Sequence, residues 1–262
     1  MPQDHTTAAL TLVTLPCLAD NYAFLLHDPR SGATAVVDVP EAEPVQRALA
    51  ERGWQLSDIL ITHHHDDHIA GVDALRAATG ARVTGAQADA HRLPRLDRAV
   101  RPGDRLEFGP DWAEVIAVPG HTLGHVAYHF AHSGLLFSGD SLMAGGCGRL
   151  FEGTPAQMWD SLSRLARLPG STLICSGHEY TAGNLRFAAT IEPDNAALRA
   201  RMAWVAGERA AGRFTVPSTL AEEKETNPFL RAGLAQVKAV LGLPGASDAE
   251  SLAELRARKN RF

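Results

Sequence analysis

Four apolar segments with the length and composition of β-strands each run directly into a histidine or an aspartate. They are "DILIT" before His63, "AEVIAVPG" before His121, "GLLFSG" before Asp140 and "TLICSG" before His178. The carboxyl ends of strands are where sheets present functional loops. If the four ends share one edge of a sheet, their polar side chains converge there. Turn residues without a common role are the alternative, and they remain the better explanation for any one of the four taken alone.

The first of these residues opens a cluster of titratable side chains, "HHHDDH". His63 and His65 alternate, so both can face one metal ion. Asp67 and His68 begin the following helix and can face a second ion. The two remaining members are expected to be solvated or to support the ligands: His64 and Asp66. Nitrogen and oxygen donors without cysteine suit catalytic zinc and also accept iron or manganese.

Composition narrows the class of protein. The chain has 262 residues, which fits one large domain or a domain with a smaller companion. A formal net charge of −5 argues against nucleic acid or an anionic membrane as the main partner. Three cysteines without a C-x-x-C pair indicate a reducing compartment. No Lys or Arg precedes the first apolar stretch and no apolar run approaches a spanning length, so we expect a cytoplasmic protein.

The pattern of elements changes after His178. Before it, strand-like segments alternate with three short helical stretches, one of which stops at Gly53. After it, helical periodicity dominates, interrupted by a predicted loop over 215–230 that contains Pro217 and Pro228. We therefore predict two domains, 1–178 and 179–262, of class α/β followed by α.

The ordered motifs "HHHDDH", "GHTLGH", "SGD" and "GHEY" resemble the metallo-β-lactamase superfamily. The resemblance implies an αββα sandwich followed by a smaller α-helical C-terminal domain. It also implies two divalent metal ions, most simply zinc, with Asp140 bridging them. The ligands it assigns to the first ion are His63, His65 and His121, and those of the second are Asp67, His68 and His178. Asp67 and Asp140, with a hydroxide bridging the metals, would form the catalytic centre, and His125 is expected to pack beside the ligands.

The segments that flank these motifs resemble the hydroxyacylglutathione hydrolase family, the glyoxalase II enzymes. They are "AGGCGRLFEGTPAQMW", "GHEYTAGNLRFA", "KETNPFLR" and "RARKNRF". The resemblance implies hydrolysis of S-lactoylglutathione to glutathione and D-lactate, the second step of methylglyoxal detoxification, by a monomer. It assigns these glutathione contacts: Arg149, Phe151, Tyr180, Arg256 and Lys259. Phe151 stands where some members have Tyr, and Arg149 where Lys is frequent, which changes the donor geometry.

Other functions remain open from the sequence alone. A persulfide dioxygenase would use one iron ion held by fewer of these residues, and a lactonase or β-lactamase would lack the C-terminal cations. A non-catalytic metal-binding module would bind ions without turnover. The cations between Arg256 and Arg261 have an alternative explanation, because positive charge at a helix C-terminus is favoured by the helix dipole in the absence of any ligand.

Overall fold

The computed structural model describes residues 2–262 and divides into two compact units. The first unit comprises the chain up to Ala117 together with Gly124–Gly139, and the second comprises Val118–Leu123 and Asp140–Phe262. The residues directly before Gly124 thus belong to the second unit, and Gly124 and the residues after it belong to the first. Each unit is described separately.

The first unit contains a mixed seven-stranded sheet whose strands follow one another in chain order. Its strands are β1 (Gln3–Thr6), β2 (Thr11–Cys17), β3 (Asn21–His27), β4 (Ala33–Val37), β5 (Gln55–Leu60), β6 (Arg82–Ala86) and β7 (Arg98–Val100). Strands β1 to β4 pair antiparallel, and β4 to β7 pair parallel. Because β4 and β5 are parallel neighbours, the residues after them emerge at the same edge of the sheet.

Helices cover one face of this sheet. They are α1 (Ala42–Arg52), α2 (Asp66–Ile69) and α3 (Val72–Thr79). The apolar sides of α1 and α3, which include Val45, Leu49 and Leu75, join the sheet residues in one buried cluster. Helix α1 ends as predicted at Gly53, whose φ of 65° places it in the left-handed region. The single helix expected after the histidine cluster is two helices, because the chain turns at Ala70 and Gly71 between them.

A second, antiparallel group of strands faces the first sheet within the same unit. It consists of β8 (Arg105–Phe108), β9 (Asp111–Ala117), β10 (Val126–Phe130) and β11 (Leu135–Gly139). Aromatic rings fill the space between the two sheets: Phe24 and Phe137 lie 5.6 Å apart between ring centroids, and Phe130 contacts Phe137 edge to face. The Tyr128 hydroxyl donates to the carbonyl of Ile61 at 2.8 Å, and burial raises the pKa of this phenol.

The second unit is mainly helical. Its helices are α4 (Pro155–Leu165), α5 (Thr181–Ile191), α6 (Ala196–Ala210), α7 (Leu220–Thr226), α8 (Ala235–Leu241) and α9 (Asp248–Arg261). Its strands are β12 (Leu142–Met143), β13 (Gly146–Cys147), β14 (Leu173–Ser176) and β15 (Ser218–Thr219). Helices α5 and α6 share a small core that includes Leu185, Leu198 and Val205.

Two predictions for this unit were wrong. The predicted loop over 215–230 contains β15 and α7, because Thr219 and Glu222 form a reciprocal capping box that starts a helix between the two prolines. The helical pattern predicted from Leu230 begins only at Ala235, since the chain first makes turns after Asn227. The helices expected at the other positions are present.

Candidate metal centre

In the first unit, the histidine cluster follows β5 and is organised by a buried aspartate. Asp38 comes directly after β4, and its carboxylate accepts hydrogen bonds from the Thr62 amide, the Thr62 hydroxyl and the Nδ1 of His68, each at 2.8 Å. Asp38 has a φ of 55°, a conformation uncommon for residues other than glycine. Its bond with His68 requires a proton on Nδ1, which leaves Nε2 as the ring atom able to bind a metal.

A second chain of contacts orients His63. The Thr62 hydroxyl, whose proton is directed to Asp38, lies 3.0 Å from the His63 Nδ1 and can accept its proton. The His63 Nε2 then lies 3.2 Å from the Nδ1 of His65. Two nitrogens bound to one tetrahedral zinc at the usual bond length would be about 3.3 Å apart. The donor atoms of His63 and His65 therefore fit ligation of one ion.

Asp67 and His68 form the other predicted pair. The Asp67 Oδ2 accepts from the Nδ2 of Asn21 at 3.0 Å and lies 3.9 Å from the His68 Nε2. Asn21 also donates to the Asp67 carbonyl, so it holds both the side chain and the backbone of this residue. A carboxylate oxygen and a bare imidazole nitrogen at this separation fit a second ion.

The remaining members of the cluster have other surroundings. His64 lies 3.4 Å from the Asp89 carboxylate and 3.2 Å from a guanidinium nitrogen of Arg92, and Asp66 is exposed. The buried ring of His125 stacks on His63 with centroids 4.6 Å apart, and its Nδ1 lies 3.1 Å from the Val126 carbonyl. His125 packs against a candidate ligand through its ring face.

In the second unit, Asp140 lies between two histidines. Its Oδ2 is 3.6 Å from the His121 Nε2 and 3.3 Å from the His178 Nε2, and all three side chains are buried. The His121 Nδ1 lies 2.8 Å from the Arg149 carbonyl, which fixes this nitrogen as the protonated one. The two predicted histidine ligands in this unit thus lie on either side of one carboxylate oxygen of the third predicted ligand, Asp140.

Glycine makes this packing possible at one position. A Cβ on Gly148 would lie 2.0 Å from the Asp140 carbonyl oxygen and 2.9 Å from the His121 Nδ1. Any side chain at position 148 would therefore displace the backbone of Asp140, which is one of these two candidate ligands. The "GCGR" stretch therefore has a packing role in addition to any contact with substrate.

The predicted glutathione contacts also lie in the second unit. Arg149, Phe151 and Tyr180 are exposed; Phe151 packs edge to face on His121, and Tyr180 stacks on His178. Arg256 is buried, and its Nη1 donates to the Cys147 carbonyl at 2.9 Å. Three of the five predicted glutathione contacts thus lie on the surface, whereas the guanidinium of Arg256 is hydrogen-bonded to a backbone carbonyl.

Lys259 belongs to a cluster of cations. Its Nζ donates to the Gly183 carbonyl at 3.0 Å. Burial, and then the nearby charges of Arg256, Arg186 and Arg149, lower the pKa of Lys259 from its usual 10.5 to about 8. The three guanidinium groups thus lower the pKa of Lys259, and a carboxylate bound beside these four positive side chains would offset their repulsion.

Sequence reasoning did not identify Asp38, Asn21 or Arg186. A signal for Asp38 was present, since it directly follows the apolar strand β4 in the same way as the four residues that were selected. Asn21 and Arg186 carry no comparable signal. Only the fold brings Asn21 to Asp67 over 46 positions, and only the path of α5 brings Arg186 to Lys259.

Comparisons with known proteins agree with this fold. A family model for the metallo-beta-lactamase superfamily matches residues 21–178, and the model described as hydroxyacylglutathione hydrolase C-terminus matches residues 179–262. The chain therefore has the metallo-β-lactamase fold with a C-terminal helical domain. The solved ETHE1 from Myxococcus xanthus is similar with a TM-score of 0.64 and 26% identity, over 99% of this chain and 91% of that one.

A second solved relative, TTHA1623 in a di-iron-bound form, has a TM-score of 0.60 and 26% identity, over 83% of this chain and 98% of that one. Curated relatives are more similar in sequence. The hydroxyacylglutathione hydrolases of Cereibacter sphaeroides (strain ATCC 17025 / ATH 2.4.3) and Fuscovulum blasticum are each 64% identical to this chain, over 97% of it and over 99% and 100% of their own lengths. The chain belongs to the hydroxyacylglutathione hydrolase family.

Among residues 2–262, the structure has no helix that is both long and apolar enough to cross a membrane.

Proposed function

We propose that this protein is a metal-dependent thioester hydrolase that converts S-(2-hydroxyacyl)glutathione, with S-lactoylglutathione as the reference substrate, and water to glutathione and the 2-hydroxy acid. The observation that carries the proposal is family membership over nearly the full chain. The oxygen acceptors that orient His68 and His121 support it. D-lactate is then the product from the lactoyl thioester.

We propose two sets of metal ligands. His63, His65 and His121 would hold one divalent ion, Asp67, His68 and His178 would hold the other, and Asp140 would be shared by the two sets. Zinc is the metal we propose, with iron or manganese as substitutes, because every donor is an imidazole nitrogen or a carboxylate oxygen. The residues fit such ions, since the far nitrogens of His68 and His121 are each held by an oxygen acceptor.

When bound, the two ions would supply a hydroxide nucleophile at neutral pH and polarise the thioester carbonyl. The chain's own residues orient the reactants. Asp38 and the Arg149 carbonyl keep two imidazoles in the tautomer that leaves the ligand nitrogen bare. Arg149 and Lys259 attract the carboxylates of glutathione, and Phe151 and Tyr180 offer ring faces to its peptide. Arg256 contributes charge to this site from a buried position.

We further propose that residues 1–178 form the catalytic domain and 179–262 the domain that binds glutathione. A cytoplasmic monomer with no nucleic acid or membrane partner remains our interpretation of the charge and cysteine content. The three cysteines are free and buried, and burial raises the pKa of Cys147 to about 11, which disfavours its reactive thiolate. Cell fractionation and light scattering of the purified chain would test location and oligomeric state.

The test of function is a substrate comparison with metal-loaded protein. We expect rapid hydrolysis of S-lactoylglutathione, followed by loss of thioester absorbance, and at least about 100-fold lower kcat/KM for the lactoyl thioester of N-acetylcysteamine, which lacks both carboxylates. Equal values for the two thioesters would contradict glutathione recognition. Oxygen consumption with glutathione persulfide and no thioester hydrolysis would instead indicate a dioxygenase, and tight metal binding without turnover would indicate a binding module.

A further inference from the structure

The glycine-rich hairpin of β12 and β13 in the second unit is held by side chains from elements that follow it by 40 to 109 positions. Met143 pairs with Gly146, and Gly145 turns the chain with a φ of 68°. The hairpin is short, and Arg149 lies two residues after its end. Two paired residues on each side cannot define a hairpin in water, so its shape must come from its surroundings.

Five backbone polar groups of this hairpin form hydrogen bonds with side chains. Asn227 donates to the Met143 and Gly146 carbonyls at 3.2 and 2.9 Å, and Glu223 accepts from the Gly145 amide at 2.8 Å. The other two contacts are from Asn184 to the Ala144 carbonyl at 3.0 Å and from Arg256 to the Cys147 carbonyl at 2.9 Å. These four side chains come from α5, α7, the residue that ends α7, and α9.

The network behind the hairpin is buried and charged. Glu223 and Asn227 have no exposed surface. Glu223 also accepts from Ser218 at 2.6 Å, from Asn227 at 3.0 Å and from the buried guanidinium of Arg201. In this buried ion pair, both oxygens of the Glu223 carboxylate accept from several donors. Such a network stabilises one arrangement of these side chains and makes other arrangements unfavourable. The packing around the turn is equally strict, since a Cβ on Gly146 would lie 2.6 Å from the Asn184 amide nitrogen.

The hairpin leads directly into the candidate site. Gly148, the residue after β13, lies against Asp140 and His121, and its amide donates to the Ser141 carbonyl at 3.2 Å. The next carbonyl, of Arg149, is the one that lies 2.8 Å from the His121 Nδ1. The side chain of the same Arg149 is one of the three cations around Lys259. A shift of the hairpin therefore moves a candidate metal ligand and a candidate substrate contact together.

We propose that Asn227 and Glu223 are positioning residues, and that the buried network of Arg201, Glu223 and Asn227 sets the hairpin so that Arg149 places its carbonyl on His121 and its guanidinium in the cation cluster. The helical segment thereby acts on the reaction through the backbone of the hairpin as well as through direct contact with glutathione. Arg256 belongs to the same set, because its Nη1 is bonded to the Cys147 carbonyl. The kinetic part of the test rests on the proposed function, and the other parts do not.

The experiment compares Asn227→Ala with Asn195→Ala in the full-length, metal-reconstituted protein. Asn195 is a matched control, because its side chain caps α6 and donates to the Glu225 carbonyl without touching the hairpin. Three quantities are measured: hydrogen exchange of the peptide over 141–149, zinc affinity by chelator competition, and kcat and KM for S-lactoylglutathione. Urea unfolding of both variants shows how much global stability each has lost.

For Asn227→Ala we expect exchange of the hairpin amides to be faster by about tenfold or more, zinc affinity to fall by about tenfold, and KM to rise by about fivefold because Arg149 is displaced. Asn195→Ala should leave these three quantities unchanged at a comparable loss of global stability. Wild-type exchange rates in 141–149 and wild-type zinc affinity in Asn227→Ala would overturn the proposal. If the wild-type protein hydrolyses no thioester, the proposed function fails while exchange and zinc affinity still decide this inference.

A milder variant covers the case in which Asn227→Ala does not fold. Asn184→Ala removes one hydrogen bond at the turn and leaves the Arg201–Glu223 pair intact. The same pattern of faster hairpin exchange and weaker zinc binding is expected at a smaller size, about threefold. Folded Asn184→Ala protein with wild-type hairpin exchange and wild-type zinc affinity would contradict the proposal.

Discussion

At the scale of single residues, three of the predicted histidine ligands are oriented by oxygen atoms that lie next to their Nδ1 atoms. His68 is directed by Asp38, His63 by the Thr62 hydroxyl, and His121 by the Arg149 carbonyl. Each contact occupies Nδ1, which fixes the tautomer and the ring orientation. The contacts of Thr62 and Arg149 come from residues within or beside the recognised motifs, whereas Asp38 lies outside those motifs. Candidate ligands can be proposed from sequence motifs, whereas the orientation of their side chains depends on strand neighbours that only the fold defines.

Asp38→Asn tests this orientation. Asparagine has the same shape and also tolerates positive φ, so the backbone conformation is retained. The amide group, however, would direct its own protons at the Thr62 hydroxyl or at the His68 Nδ1, both of which already donate. We expect zinc affinity and kcat/KM to fall by about 10- to 100-fold. Asp58→Asn, on the neighbouring strand and paired with exposed Arg82, is the control; equal values for both variants would contradict a role for Asp38.

Lys259 gives a pH dependence whose sign follows from its lowered pKa. Above a pH of about 8 the folded protein loses this charge, so kcat/KM for the anionic thioester should decline, and this parameter reports the free enzyme. Lys259→Arg should keep the charge and abolish the decline. Because the folded pKa lies below the unfolded one, the unfolded chain binds more protons between about 8 and 10.5, and the free energy of unfolding should rise with pH in that window. An identical decline in wild type and Lys259→Arg would exclude Lys259 as its cause.

At the scale of elements, hydrophobic periodicity predicts the long strands and the long helices. Short helices such as α7 are indicated instead by their capping residues. Strand β8 has only four residues, too few for an alternating pattern to be distinctive in the sequence. Helix α7 was missed because two prolines were interpreted as breakers although Thr219-x-x-Glu222 lay between them. The hairpin of β12 and β13 carries no strand pattern at all, since its shape depends on side chains from distant elements.

Two glycines provide a paired prediction about helix energetics. Gly53 ends α1 with a φ of 65°, and Gly207 lies within α6; a Cβ on either would have no neighbour within 4 Å. Gly53→Ala should lower the free energy of unfolding by about 1 kcal/mol, because alanine is strained in the left-handed region. Gly207→Ala should raise it by about 0.4–1 kcal/mol, because alanine restricts the unfolded chain and favours the helix. Urea denaturation measures both, and changes of the same sign would contradict this account.

At the scale of the whole molecule, the order of motifs along the chain carried most of the functional inference. Seven predicted ligands are spread from His63 to His178, and the family models that match 21–178 and 179–262 together cover these ligands and the cations after them. Within each unit the structure brings the predicted ligands into pairs or threes with donor atoms 3.2 to 3.9 Å apart. The chain leaves the first unit at Val118, returns to it at Gly124 and leaves it again after Gly139, an assignment that periodicity along the sequence does not reveal.

We propose above that these seven side chains hold a pair of divalent ions with Asp140 shared between them. Elemental analysis of the fully loaded protein, with Asp140→Ala and the exposed-site control Asp160→Ala beside it, tests the claim most directly. We predict about two ions per chain in the wild type and in Asp160→Ala, and fewer than about one in Asp140→Ala, with kcat/KM for S-lactoylglutathione reduced by more than about 100-fold. One ion per chain in the wild type, or undiminished metal content and turnover in Asp140→Ala, would contradict the account.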